Sequence, residues 1–547
     1  VWRRDITSGD TPEGQPTPSY EFNLFIPVSG ELPTLRTSFN HVAVLALKGA
    51  GGHLNLDGFL RSFPALTALH IENFVLGELP QISHLSQLSY LTLDRCAINL
   101  SPATAQTLQS LAGLKHLNLD NTPLTLLPDF SQMPHLISLS LHNTGLRELP
   151  LTLITPTTMR ARVDLSQNSL RELPDDAFLA PPAVSAAFDL SANPLSPSTL
   201  QRLKSYCRDK GEHWNADVPA SQLQRLKALY PNLSERDNKR IFFELPGELE
   251  DADVHISRLS AEYEQLENNL QDWALNVPPM DQVRDPFVNE NARATEQVHR
   301  LGFKELLLRC WRRETQHDEH EWPARRTHKL VFNGQLLGDL PALNARLEHV
   351  TQLELTGDGN RRGIGEFLRA FPNLTSLSVE RHALQHIPDS VFDLDQLQQL
   401  NLSYNSIRLT PDNLEQLSRL AELNQLDLSD NPLTLSPDLR NLSKLTMVYL
   451  DNCGLSEVPL GTFSLPRLRA LDLSDNLIQH LSTDLLEMPL PLDDESDLSG
   501  NPLSAASMAI LRAYYRQTGY EFGVEEATLD ENQIELTPPS TPEAMEE

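Results

Sequence analysis

Leucines recur along this chain at a spacing that fits neither an amphipathic helix nor a simple alternating strand. The nine-residue pattern L-x-x-L-x-L-x-x-N starts near positions 19, 42, 66, 88, 114, 136, 160 and 185, then again near 327, 350, 374, 397, 423, 445, 468 and 493. Leu397 to Asn405, Leu423 to Asn431 and Leu468 to Asn476 show it most plainly. Two leucines separated by one residue put their side chains on the same face of a short strand. A unit this small cannot bury that face alone, so neighbours stack and share one continuous core. The pattern therefore predicts a parallel sheet with one short strand per repeat, at a spacing of about 4.8 Å. The Asn at the ninth position leaves the strand, where its amide can satisfy backbone groups that the turn strands inside the core. Segments such as Leu146-Arg-Glu-Leu-Pro150 and Leu170-Arg-Glu-Leu-Pro174 make the return, where proline is tolerated because no ladder bond is needed.

Repeats of 22 to 26 residues with this pattern are leucine-rich repeats. The whole array is also written twice. Phe59-Leu-Arg-Ser-Phe-Pro64 returns 308 positions later as Phe367-Leu-Arg-Ala-Phe-Pro372, and Asp189-Leu-Ser-Ala-Asn-Pro-Leu195 as Asp497-Leu-Ser-Gly-Asn-Pro-Leu503. Between the copies, from about 216 to 318, the leucine pattern stops and helical periodicity replaces it. Ile256, Leu259, Tyr263, Leu266, Leu270 and Trp273 form an apolar seam, Pro278-Pro279 ends it, and Val298, Leu301, Leu306, Leu307, Cys310 and Trp311 follow. An antiparallel helical hairpin capping the second array is the simplest reading, with a dimerising coiled coil as the alternative. The expected fold is an α/β repeat: two leucine-rich-repeat solenoids, each with a parallel β-sheet on its concave face, joined by an α-helical hairpin. The expected domains are a helical remnant over 1–18, a first array with closing helix over 19–215, the helical linker over 216–318, a second array over 319–523, and an acidic Pro-containing tail over 524–547. Trp2-Arg3-Arg4 aligns with Trp311-Arg312-Arg313, so the remnant reads as the last turn of an equivalent hairpin.

Charge narrows the partners. With 44 basic and 74 acidic residues the net charge is −30, which argues against nucleic acid or an anionic membrane surface and for either a solvated, solubilising acidic surface or a protein partner with a basic surface. No apolar run reaches membrane-spanning length. Cys96 and Cys453 take the ninth position of their repeats and should be buried and inert, and Cys310 lies on the linker seam. No two of the four cysteines are close in sequence, so neither a disulfide framework nor a zinc site is expected, and no cofactor. Cys207 has an aspartate two residues on, but the other copy has Tyr515 there, which reads as a closing helix and not as a nucleophile. Gly357 to Gly365 superficially resembles a phosphate-cradling loop, yet no Lys-Ser/Thr follows it. His317-Asp-Glu-His-Glu321 fits no standard metal spacing.

The third, fifth and seventh positions of each repeat point away from the core. In the second array they hold Asp427, Met447, Tyr449, Asp451, Asp472, Glu495 and Asp497, an acidic stripe with an aromatic and a thioether in it. In the first array the same columns hold His70, Tyr90, Asp94, His116, Asp120 and His142. The stripe is the expected partner site and the His-bearing face the second candidate. Some of its aspartates belong to the recurring Leu-Asp-Leu-Ser segment, which leaves a structural role open for them.

The segments ending Asn-Pro-Leu433 and Asn-Pro-Leu503, the stretch from Leu511 to Phe522, and Cys310-Trp-Arg-Arg313 resemble the large leucine-rich proteins of Gram-negative bacteria that carry a NEL-type (novel ligase) ubiquitin ligase domain. That likeness implies a translocated or secreted effector whose repeats bind substrate proteins, followed by a helical domain with a Cys-x-Asp nucleophile. Only repeat and linker sequence matches, so the family's catalytic residues map onto nothing here and this chain is expected to be non-enzymatic. A structural or adhesive leucine-rich-repeat protein is the alternative.

Overall fold

The structure, a computed structural model, describes residues 20–24, 30–154, 161–277, 286–315, 328–359, 363–493 and 495–524. The chain divides into two compact units, Val1–Arg258 with Glu319–Arg326 and Leu259–Asp318 with Thr327–Glu547. Each contains one parallel sheet made from the strands of the leucine pattern. In the first unit these are β1 (Tyr20–Leu24), β2 (Val42–Lys48), β3 (Ala68–Glu72), β4 (Tyr90–Asp94), β5 (His116–Asn118), β6 (Ser138–Ser140), β7 (Arg162–Asp164) and β8 (Phe188–Asp189), paired in chain order. In the second they are β9 (His328–Asn333), β10 (Val350–Thr356), β11 (Ser376–Glu380), β12 (Gln399–Asn401), β13 (Gln425–Asp427), β14 (Met447–Tyr449) and β15 (Ala470–Asp472), again in chain order. A bridge from Asp472 to Asp497 adds the last rung. The register stacks like on like: Leu377, Leu400, Leu426, Val448 and Leu471 lie opposite one another in sequence, and all are buried.

The ninth-position asparagines tie each rung to the one before. Asn431 is fully buried; its Nδ2 donates to the carbonyls of Leu402 (2.8 Å), Leu428 (3.0 Å) and Ser429 (3.1 Å), and its Oδ1 accepts from the Ile407 amide at 2.9 Å. Asn168, Asn193, Asn405, Asn476 and Asn501 repeat the arrangement. Thr122 and Cys453 take over part of it, donating to Leu93 O (2.7 Å) and Leu428 O (3.1 Å). The residue just before each ladder position turns the chain through left-handed backbone. Asn73, Arg95, Asn121, Asn143, Gln167, Ala192, Arg381, Tyr404, Asp430, Asn452 and Asp475 all have φ between 49° and 60°, and Gly500 has 69°. Such a conformation costs a side-chain-bearing residue about 1–2 kcal/mol, so the stacked core must hold it in place.

Both arrays close in the same way. α1 (Pro197–Lys210) and α6 (Ala505–Thr518) start at serine caps, Ser196 and Ser504, and stop at left-handed Gly211 and Gly519. The chain then returns so that the carbonyls of Trp214 and Phe522 accept the amides of Leu190 and Leu498, each at 3.0 Å, replacing the missing next rung. The first array carries a further layer, α2 (Ala220–Leu229) and α3 (Glu235–Glu244), that the sequence reading did not separate from the linker. His213, fully buried, stacks on Phe243 and contacts the Arg236 carbonyl at 3.0 Å.

Two long helices follow, α4 (Ala252–Leu275) and α5 (Pro286–Trp311). The division between the units falls inside α4. Within the second unit they run antiparallel: Trp311 Nε1 donates to Glu262 at 2.8 Å, Lys304 to Gln271 at 2.7 Å, and Phe303 packs near Trp273. The pair seats on the opening of the second array through Phe303, whose ring centroid lies 4.4 Å from that of Phe332 and 5.9 Å from that of Phe367. The buried face of α5 differs from the expected seam, because Val298 and Leu301 are exposed. Its place is taken by a buried ion pair, Arg300 to Glu296 at 2.9 Å. Arg300 Nη1 also donates to the Trp273 (2.9 Å) and Asn276 (3.0 Å) carbonyls at the end of α4, its Nη2 donates to Leu337 O, and Glu296 accepts the Leu337 amide. Every charge in the pair is satisfied, which is what makes its burial tolerable. The expected 1–18 remnant, Pro278-Pro279, His317 to Glu321, Arg361-Arg362 and all but the first residue of the 524–547 tail lie outside the described residues.

Asn431→Ala should strand the Ile407 amide and up to three carbonyls in the core. At about 1–3 kcal/mol for an orphaned buried group, part of which is relieved by relaxation, a loss of roughly 3 kcal/mol is expected. Denaturant unfolding of the full chain, followed by a probe in the second array, checks it.

Candidate functional site

The seven residues of the second-array stripe form one contiguous patch over four rungs. Asp427, Tyr449, Asp472 and Asp497 hold the fifth position and stand side by side, Asp427 opposite Tyr449, Tyr449 opposite Asp472, and Asp472 bridged to Asp497. Met447 and Glu495 occupy the third position and Asp451 the seventh. Met447 and Glu495 are exposed, the others half-buried. Tyr449 reaches past the Asp472 rung, its hydroxyl donating to Glu495 Oε2 at 3.1 Å.

The fifth-position carboxylates also have a structural task. Asp427 Oδ1 accepts the Ser429 amide at 3.0 Å, Asp472 Oδ1 accepts the Ser474 amide (2.9 Å) and hydroxyl (2.7 Å), and Asp497 Oδ1 accepts the Ser499 amide at 2.6 Å. Each is a side-chain turn closing the end of its strand. Asn401 does the same for Ser403 at 2.9 Å without a charge, so geometry alone does not require aspartate. Arg440 and Lys444 of the intervening loops pair with Asp438 and Glu422. Among the described residues no ion pair reaches Asp427, Asp451, Asp472, Glu495 or Asp497.

Burial, and after it the crowding of carboxylates, shows in the ionisation of the patch. Burial raises the Asp427 carboxyl above its usual range, the bonds from Ser429 pull it back, and the charges of Asp451 and Glu380 push it up again. Asp472 is raised by burial, lowered by its bonds to Ser474, and raised by Asp451 and Asp497. Tyr449 is pushed up to about 12, by burial first, then by its bond to Glu495 and by surrounding negative charge.

One part of the patch lies where the leucine pattern does not point. The eighth-position residues Arg381, Tyr404, Asp430 and Asn452 form a rim beside it. The Arg381 guanidinium lies 5.1 Å from the Tyr404 ring centroid, and Asn452 donates to Asp430 at 2.6 Å. Tyr404 is half exposed, and Asp430 raises its hydroxyl pKa.

The first-array candidates are less concentrated. Tyr90 and His116 stack face to face with ring centroids 4.2 Å apart, Tyr90 being 44% exposed. His70 bonds Thr92 at 3.0 Å and His142 bonds Ser166 at 2.8 Å, three rungs apart. Asp94 accepts from Asn121, and Asp120 accepts from Ser140, Asn118 and the His142 amide. Burial lowers the His70 and His116 pKa values. The six residues line the face but converge on no common point.

All four cysteines are thiols and buried. Burial raises Cys96 to about 11 and both Cys310 and Cys453 to about 12, the reverse of what a nucleophile needs. Cys207 lies within the closing helix α1. No group of three metal-ligating side chains occurs among the described residues, and no helix among them is long and apolar enough to cross a membrane.

A carboxyl whose pKa is higher folded than unfolded binds its proton more tightly in the folded state. The charged form of Asp427 and Asp472 therefore weakens the fold above the folded pKa, and that penalty is relieved as pH falls toward the ordinary value of 3.8. The Asp427→Asn/Asp472→Asn double variant keeps both turn acceptors. It should be more stable than the parent at pH 7, with the difference shrinking on acidification toward pH 4. Thermal unfolding across that range reads it.

The family model described as "Leucine rich repeat" matches residues 372–433 and 443–489. Rabbit (Oryctolagus cuniculus) fibromodulin is 35% identical over 118 residues, 21% of this chain and 77% of that relative. Mouse (Mus musculus) podocan-like protein 1 is 26% identical over 494 residues, 77% of this chain and 85% of that relative. A rat (Rattus norvegicus) volume-regulated anion channel subunit is 31% identical over 118 residues, 21% of this chain, and the chain spans only 14% of that relative's length. A Leptospira interrogans LRR protein of solved structure has 19% identity and a TM-score of 0.31, covering 88% of this chain and 92% of that one. The repeat geometry, the matching family model and the fibromodulin likeness agree: the chain belongs to the leucine-rich-repeat family.

Proposed function

We propose that the chain is a non-catalytic protein-recognition module and that the sheet face of its second array is the partner site. Met447 and Tyr449 serve as the apolar anchor, and Asp427, Asp451, Asp472, Glu495 and Asp497 receive Lys or Arg from a partner with a basic surface. The observation that carries this is the set of five carboxylates, without ion pairs among the described residues, gathered around one half-buried tyrosine. Asn401 supports it, because the same turn forms there without a charge. Like charges on rungs about 4.8 Å apart lie within one Debye length, about 8 Å at physiological salt. A basic partner relieves that repulsion on docking, and the overall charge of −30 steers its approach. On this reading the chain is the substrate-binding region of a translocated bacterial effector related to NEL-type ligases, a placement supported by the linker and closing-helix sequences alone.

The test is a kinetic binding series between the full chain and an arginine-rich synthetic peptide. Asp451→Asn and Asp472→Asn should weaken binding mainly through slower association, as added salt does. Tyr449→Ala should speed dissociation, at a cost of about 1–3 kcal/mol for a central aromatic contact. Unchanged affinity in all three variants would move the site elsewhere, first to the His70, Tyr90 and His116 face.

A further inference from the structure

The cation–ring contacts among the described residues are all made by arginine, and they share one build. The Arg202 guanidinium lies 3.8 Å from the Phe178 ring centroid while bonding Asp175 at 2.7 Å. That of Arg300 lies 4.6 Å from the Trp273 ring while bonding Glu296 at 2.9 Å. That of Arg381 lies 5.1 Å from the Tyr404 ring, with Asp430 acting on the phenol. A guanidinium can rest its flat face on a ring and turn its edge donors to a carboxylate at the same time. A lysine ammonium has no flat face and no fork of donors.

Tyr449 offers the same two halves. Its hydroxyl reaches Glu495, two rungs on and so about 10 Å along the array at the usual strand spacing. A ring standing straight off the sheet could not span that, so the side chain leans along the face and crosses the rung of Ala470 and Asp472. Ala470 shares the outward-facing third column with Met447 and yet is fully buried, which the crossing ring accounts for. One side of the ring therefore lies against the sheet, and the other faces outward. Asp472 bonds Ser474 through Oδ1 and Glu495 bonds Tyr449 through Oε2, so each keeps a second oxygen at the ring's border. Among the described residues no arginine or lysine lies over this ring.

We propose that Tyr449 is an arginine-selective platform: the partner's key side chain is an arginine whose guanidinium lies on the outer face of the ring and donates in its own plane to Asp472 and Glu495. Met447, exposed at the near end of the ring, borders the aliphatic stem of that arginine. The proposal rests on the second-array patch being the partner site, and it adds a preference that negative charge alone does not create.

The probes are two flexible synthetic peptides of equal length and charge, one of Arg-Gly-Ser repeats and one of Lys-Gly-Ser repeats, titrated against the full chain at low salt. The arginine peptide should bind tighter by about fivefold or more. On binding, its side-chain CH2 protons should shift upfield in the proton NMR spectrum, because they lie over a ring. Tyr449→Leu should erase most of the preference by weakening the arginine peptide and not by strengthening the lysine one. Equal affinities for the parent chain, or a preference that survives in Tyr449→Leu, overturn the proposal and leave the acidic partner site standing. Failure of both peptides to bind overturns both readings. The comparison on the parent chain needs no variant, so a folding defect in Tyr449→Leu would not shield the proposal.

Discussion

A solenoid of this kind depends on one constraint: each turn leaving the sheet carries backbone amides and carbonyls into an apolar interior, and every one must find a partner there. The ladder asparagine solves this with one side chain that can donate twice and accept through the same amide. Because Asn431 bonds to Leu402 and Ile407 of the preceding rung as well as to its own turn, no rung is complete without the next. Leucine burial supplies most of the stabilisation, but the asparagines fix the register in which the leucines meet. The same need explains the ends, where the Trp214 and Phe522 carbonyls stand in for the rung that does not follow.

The chemistry of the candidate site grows out of that scaffold. A strand of about three residues must be closed by a turn, and a carboxylate or amide at the fifth position closes it by accepting the seventh-position amide. Aspartates placed for this reason stack at rung spacing, so a structural device generates a column of like charge. Where the column carries Asn401 no charge accumulates; where it carries Asp427, Asp472 and Asp497 around Tyr449, the face becomes acidic, and burial first and neighbouring carboxylates after it hold Asp427 and Asp472 protonated to higher pH. The scaffold thus bears a destabilising charge pattern that a cationic partner would relieve.

Most of the fold was legible because its period is short and its core residues are chemically uniform. The sixteen repeat starts can be read from the spacing of apolar positions, reinforced by a ninth-position Asn in six of them, and the 308-residue duplication from matched segments. What escaped the sequence was polar. The α5 face was misplaced because Arg300 and Glu296 are buried among backbone carbonyls, where a count of apolar residues cannot see them. The rim of Arg381, Tyr404 and Asp430 was missed because the left-handed position accepts many residue types. The bond from Tyr449 to Glu495 joins residues 46 apart and needs the positions of three rungs to be known. The seven stripe residues were chosen by column alone, and the structure places them in one patch.

The ladder, and not local turn propensity, holds each rung. Residue-resolved amide hydrogen exchange under native conditions tests this at Ile407, Cys453, Leu455 and Ile478, whose amides donate to Asn431, Asn476 and Asn501. If the ladder carries the fold, these amides exchange only through cooperative unfolding, as slowly as Leu428 and Leu450 of the adjoining rungs. Exchange at those four positions that is orders of magnitude faster than at Leu428 and Leu450 would contradict the account, because the turns would then open locally while the core stayed closed.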